Sequence, residues 1–163
     1  MSVAITLEEL SRWNQETSAF WFNHLEANPA LLDLPCDIGG TKNVQELVRH
    51  IWAVELRWAQ RLAVLPVTPR EQMPSGPLAE LFDLHIQATQ IFEGLLDAPE
   101  ESWRQTLTID TIPPEKFVVS RRKVAGHMLF HSQRHWAQLA TLVRAAGFPS
   151  GFRGDLLLSS ALD

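Results

Sequence analysis

Apolar residues recur at helical spacing in four stretches of the chain, separated by segments that carry proline and glycine. In the first stretch Leu10, Trp13, Thr17, Phe20, Trp21 and His24 share one face. Its start is marked by Thr6-Leu7-Glu8-Glu9, a hydroxyl followed three residues later by a carboxylate. Each of those side chains can take up a backbone N–H left free at a helix end. Asn28-Pro29 closes it, since proline forces the preceding residue toward extended backbone. After a Gly39-Gly40 loop, Asn43 with Glu46 caps a second helix with the stripe Val44, Leu47, Val48, Ile51, Glu55, Trp58 and Leu62, stopped by Pro66 and Pro69. A third begins near Pro77, a good first-turn residue, and carries Leu78, Leu81, Phe82, His85, Ala88, Phe92 and Leu96 up to the break at Pro99.

Residues 100–119 lose the helical period. Thr106 to Ile109 favour extended backbone and Ile112-Pro113-Pro114 cannot be helix, so a long connection with one extended piece is expected. A fourth helix is expected from about Ser120 to Ala146, with Gly147 as its stop. The apolar Leu156-Leu157-Leu158 of the tail should pack back or meet a partner. Four helices with one long crossover between the third and fourth predict an all-α four-helix bundle, with residues 1–163 as a single domain.

Composition narrows the function. With 14 Lys+Arg against 19 Asp+Glu the net charge is −5, which disfavours a nucleic-acid binder. The one dense basic cluster, Arg121-Arg122-Lys123, reads as solvated surface at a helix start. No apolar run approaches the roughly 18 residues of a membrane span. The N-terminal MSVAITLEEL has no basic segment followed by an apolar one, so no secretory signal is expected. Cys36 is the only cysteine, which rules out a disulfide within the chain and fits a reducing, cytoplasmic setting. It reads as a small buried hydrophobe rather than a nucleophile.

The chemistry lies in the fourth helix, in His127-Met-Leu-Phe-His131-Ser-Gln-Arg-His135-Trp-Ala-Gln138. A spacing of four stacks three imidazoles on one side, and Val124, Met128, Leu139, Leu142 and Val143 make that side apolar. A lone core histidine is usually satisfied by a carbonyl or carboxylate. Two at i and i+4 in an apolar stripe form a recurring chelate, because both rings can turn toward one point. There is no Glu after the first His as in HExxH, so a zincin-type protease is not indicated. A third ligand must come from another helix. Spacing alone leaves His24, His50, His85 and Glu55 open; His85 and Glu55 lie near the centres of their stripes and His50 toward an edge.

Asn43-Val44-Gln45-Glu46-Leu47-Val48-Arg49-His50-Ile51-Trp52-Ala53-Val54-Glu55 and His131-Ser-Gln-Arg-His135-Trp-Ala-Gln138 carry a resemblance along nearly the whole chain. The sequence resembles the DinB/YfiT-like family of metalloenzymes, built as four-helix bundles with one metal-ligating His in the second helix and an H-x3-H in the last. The resemblance implies His50, His131 and His135 as metal ligands. It makes Glu55 and His127 candidates for orienting a ligand ring or acting near bound water, with a purely structural role for Glu55 as the competing reading. His24 and His85 default to satisfied core positions, His85 being the nearer to the cavity. Trp136-Ala137 stands where many members have Arg-Gly.

Three neutral imidazoles leave a divalent ion open positions, which suits Lewis-acid chemistry on water or a thiol. Zinc or nickel is expected ahead of iron. The resemblance further implies thiol S-transferase or hydrolase activity on a small-molecule substrate, with a low-molecular-weight thiol as co-substrate, and a homodimer. The competing readings are a non-catalytic, stress-associated metal- or ligand-binding bundle, and a bundle whose histidines bind haem axially.

Overall fold

The computed structural model describes residues 4–110, 116–152 and 154–162. Among them are five α-helices and one two-stranded sheet: α1 (Leu7–Ala27), α2 (Val44–Leu62), α3 (Leu78–Leu96), α4 (Glu100–Arg104), β1 (Thr106–Asp110), β2 (Lys116–Ser120) and α5 (Arg121–Ala145). Of the four long helices, α1 and α2 each pack against both α3 and α5.

Local chemistry sets the helix ends. The Glu9 N–H donates to Thr6 Oγ1 at 3.1 Å and the Thr6 N–H to Glu9 Oε2 at 2.6 Å, a complete capping box. At α2 the Glu46 N–H donates to Asn43 Oδ1 at 2.9 Å. At α5 the Lys123 N–H donates to Ser120 Oγ at 3.2 Å. Pro77 stands at the N-cap of α3, one position before the first helical residue. The end of α5 is a Schellman turn: Gly147 takes φ +87°, its N–H reaches the Arg144 carbonyl at 3.1 Å, and the Phe148 N–H reaches the Val143 carbonyl at 2.9 Å.

The connection between α3 and α5 is more ordered than its composition suggests. It holds α4 and an antiparallel hairpin pairing Thr106 with Ser120 through Asp110 with Lys116, where one extended piece was expected. The missing signal is pairing: Phe117, Val118 and Val119 are β-prone, but only the partner strand gives them a sheet. Ile112-Pro113-Pro114 lies outside the described residues. Arg121 is also not the solvated cation its neighbours suggest. Its guanidinium donates to Ser102 Oγ at 2.6 Å and to the Leu62 carbonyl at 2.8 Å, and lies 5.6 Å from the Trp103 ring centroid, fastening α4 and the end of α2 to the start of α5.

A second correction concerns α1. Its buried positions are Ser11, Asn14, Thr17, Ser18, Trp21 and Leu25, so the inward face is rotated from the stripe through Leu10, Trp13, Phe20 and His24. Two things turn it. Polar partners await Asn14 and Thr17 inside, and Phe152 of the tail covers Phe20 and Trp21 at ring-centroid distances of 5.1 and 5.2 Å. The core is aromatic at its centre, where Trp21 stacks on Trp136 at 5.9 Å and Trp52 meets Trp136 edge-on at 5.7 Å. The tail is tied to α1 through hydrogen bonds from Ser159 and Ser160 to Glu16, while Leu157 remains 92% exposed.

Candidate metal centre

His131 and His135 stand one turn apart on α5, their ring centroids 4.5 Å from each other. Across the interface α2 presents His50, whose ring lies 5.2 Å from His131 and 5.1 Å from His135. Each of the three offers a ring nitrogen, and these nitrogens all lie within 4.8 Å of one another. Two imidazoles sharing a tetrahedral zinc at about 2.1 Å would have their donors roughly 3.4 Å apart. The three rings therefore need only small rotations to meet a common ion.

The hydrogen bonds around the rings leave lone pairs for such an ion. Gln138 Oε1 accepts from His135 Nδ1 at 2.8 Å. That bond places the proton on Nδ1 and frees Nε2 as an acceptor. That lone pair is met by Nη2 of the exposed Arg134 at 3.2 Å, a contact that an ion bound at Nε2 would displace. His131 Nδ1 is shielded from solvent and has no hydrogen-bond partner among the described residues. A buried ring nitrogen without a partner is costly, and a cation would relieve it. The turn before α2 closes over the site. Gly39, at φ +64°, passes so near that a Cβ there would sit 3.8 Å from His135 Cε1. That backbone conformation suits glycine, which has no Cβ to clash.

The electrostatics keep the rings neutral. Burial, then the neighbouring His135, Arg70 and Arg134, push His50 down to about 4. Burial, followed by His135, His50, Arg134 and His127, pushes His131 down to about 3. His135 is lowered by burial and Arg134, partly offset by its bond to Gln138. Neutral imidazole is the metal-binding form, so at neutral pH all three are ready to ligate. Among the described residues, none of the groups acting on these rings is acidic.

A model of the DinB family matches residues 1–153. The chain belongs to the DinB family. No curated protein matches it in sequence. Metal binding is a property of DinB-like proteins, and the three clustered histidines of this family member could hold an ion.

The other sequence candidates lie elsewhere in this DinB-family protein. His127 continues the α5 ladder 5.8 Å from His131, but is exposed and packs edge-on against Trp58 at 5.3 Å. Glu55 hydrogen-bonds none of the three rings. Five residues after His50, it points roughly 140° around α2 from it. There, 2% exposed, its carboxylate accepts from His85 Nδ1 at 2.6 Å and Asn14 Nδ2 at 2.9 Å. Gln133 Nε2 extends this network to Asn14 Oδ1 at 3.3 Å and Thr17 Oγ1 at 3.2 Å. One polar layer thus joins α1, α2, α3 and α5, each bond polarising the next. His85 is satisfied by Glu55, whereas His24 stacks on Phe20 at 5.9 Å with its buried Nε2 unpaired. Trp136, at the position of the family's frequent Arg, is fully buried in the aromatic core.

Gln138, Arg134 and Gly39 had no role assigned from sequence. For Gln138 the available signal was its position three residues after His135, on the same helix face. Beside His50 opens a cavity of about 320 Å³, lined also by Thr41, Ala53 and Met73. A larger groove of about 940 Å³, lined by Leu10, Trp103 and Phe130 among others, touches none of the three histidines.

Proposed function

We propose that His50, His131 and His135 ligate one divalent cation, zinc or nickel ahead of iron, and that the site performs metal-dependent transferase or hydrolase chemistry on a small molecule. The observation that carries this is the convergence of three neutral ring nitrogens within 4.8 Å, one ring holding a buried nitrogen left unpaired among the described residues. With three protein donors among the described residues, a bound ion keeps a position free and would supply Lewis-acid chemistry there, making a water or thiol acidic near neutral pH.

The chain's own groups prepare that position. Gln138 fixes the His135 tautomer, burial keeps His50 and His131 unprotonated, and the Gly39 turn covers one side. The cavity beside His50 gives a substrate room, which favours catalysis over a closed storage site. A thiol co-substrate belongs to the same reading, since thiolate is a good ligand for zinc. The rings crowd one another at 4.5–5.2 Å, which leaves no slot between them for a haem macrocycle.

The same proposal takes residues 1–163 as one domain, supported by a single buried core shared by the long helices, and takes those helices as the family's four-helix bundle. It places the protein in the cytoplasm, where buried Cys36 stays reduced. It includes a homodimer, for which exposed Leu157, Leu158 and Leu162 supply apolar surface and light scattering the check. No helix among the described residues is long and apolar enough to cross a membrane.

Elemental analysis of the purified protein tests the centre. One equivalent of metal is expected in the wild type and a large loss in His50→Ala, His131→Ala and His135→Ala; full occupancy in all three variants refutes the site. Turnover of electrophiles with a panel of thiols, with and without chelator, then tests the chemistry.

A further inference from the structure

The cavity beside His50 has a charge pattern that the metal site does not explain. Its ionisable lining, besides His50, is Glu46, Arg49, Arg57 and Arg70. Two of these four are already engaged. Glu46 Oε2 accepts the Lys42 N–H at 2.8 Å. Arg49 donates from Nε to the Pro74 carbonyl at 2.6 Å and from Nη2 to the Arg70 and Met73 carbonyls at 3.2 and 2.9 Å, holding the 70–74 loop against α2.

Arg57 and Arg70 are different. Arg57 follows His50 by seven residues, two turns along nearly the same face of α2. Its Nε is shielded from solvent and has no hydrogen-bond partner among the described residues. The positive charge of a guanidinium with an unmatched donor is compensated by an anion taken up in the cavity it lines. Arg70, exposed in the turn after α2, lines the same cavity, and its charge acts on the His50 ring. Neither guanidinium forms an ion pair among the described residues. In a chain of net charge −5, two unneutralised arginines facing one cavity are a local reversal of sign.

We propose that Arg57 and Arg70 form an anion subsite beside the three histidines, which binds a carboxylate or phosphate group of the small molecule processed there. The link to processing rests on the metal-site reading above, whereas the arginine pair stands on its own geometry. Planar guanidinium forks match the two oxygens of a carboxylate or the face of a phosphate. Bound there, the anionic end would turn the rest of the substrate toward His50, so the subsite selects for charged over neutral substrates.

The test is calorimetric titration of the full-length, metal-free protein with succinate, inorganic phosphate and, as a neutral control, succinamide. The same titrations are run on Arg57→Gln, Arg70→Gln and the double variant, with thermal melts to confirm folding. Saturable binding of succinate or phosphate is expected, with succinamide silent. Each single substitution should weaken binding by about tenfold and the double variant should lose it. The preferred anion tells a carboxylate substrate from a phosphorylated one, and either preference supports the subsite. No saturable binding in the wild type, or undiminished binding in the folded double variant, would overturn it. Zinc stoichiometry is measured in parallel: its absence from the wild type counts against the metal reading alone, since the anion titrations contain no metal.

Discussion

Replacing Glu55 by Ala separates a structural carboxylate from one that serves the metal. The side chain is 2% exposed and accepts two hydrogen bonds, from His85 Nδ1 at 2.6 Å and Asn14 Nδ2 at 2.9 Å. Removing it leaves two buried donors unmatched, each at roughly 1–3 kcal/mol, and opens a cavity where the side chain stood. The expected loss is about 4 kcal/mol, a large share of the roughly 5–15 kcal/mol that holds a domain folded. For a chain of this length that corresponds to a fall in Tm of about 10 °C. Chemical denaturation and calorimetry of the metal-free protein measure it. Zinc stoichiometry of the folded variant should stay unchanged, because Glu55 hydrogen-bonds none of the three rings. The double variant Glu55→Leu/His85→Leu should recover part of the loss by replacing the polar pair with apolar contacts, though Asn14 Nδ2 would still lack its acceptor. A loss below about 1 kcal/mol in Glu55→Ala would refute the structural assignment. So would loss of zinc with stability intact.

Three further outcomes follow from the same structure. Gln138→Leu removes the acceptor that fixes the His135 tautomer and should weaken zinc affinity by about 10- to 100-fold, read by competition with a chromogenic chelator. Acid should destabilise the metal-free protein: His50 and His131 are pushed down to about 4 and about 3, so below the ordinary value of 6.5 the unfolded chain binds protons that the folded chain refuses. Stability attributable to these rings is therefore fully present above pH 6.5 and falls as pH drops toward 4. The loss is of order 3 kcal/mol after allowing for water's access to the rings, and urea melts across that range would show a flat response if the rings were not buried neutral. Gly147→Ala places a Cβ at φ +87° and should cost about 1 kcal/mol in a denaturation midpoint, with zinc binding unaffected.

The sequence by itself determined what neighbours along the chain can settle. Thr6 with Glu9, Asn43 with Glu46, and Gly147 after α5 act within a few residues of the backbone they cap, so the helix ends were readable and the structure places them there. The pairing of His131 with His135 was legible for the same reason: an i, i+4 spacing fixes the relation of two side chains once the helix exists.

Tertiary structure decided everything that depends on which surfaces meet. Among His24, His50, His85 and Glu55, periodicity favoured the residues at stripe centres, yet His50 at the edge of its stripe joins the pair on α5. An edge position of α2 is what lies opposite α5, while the stripe's centre turns Glu55 to His85 and Asn14. The rotation of α1, the second strand of the hairpin and the approach of Arg70 to His50 have the same origin. Each needs a partner distant in sequence, and a pattern read along one helix carries no information about the angle at which another crosses it.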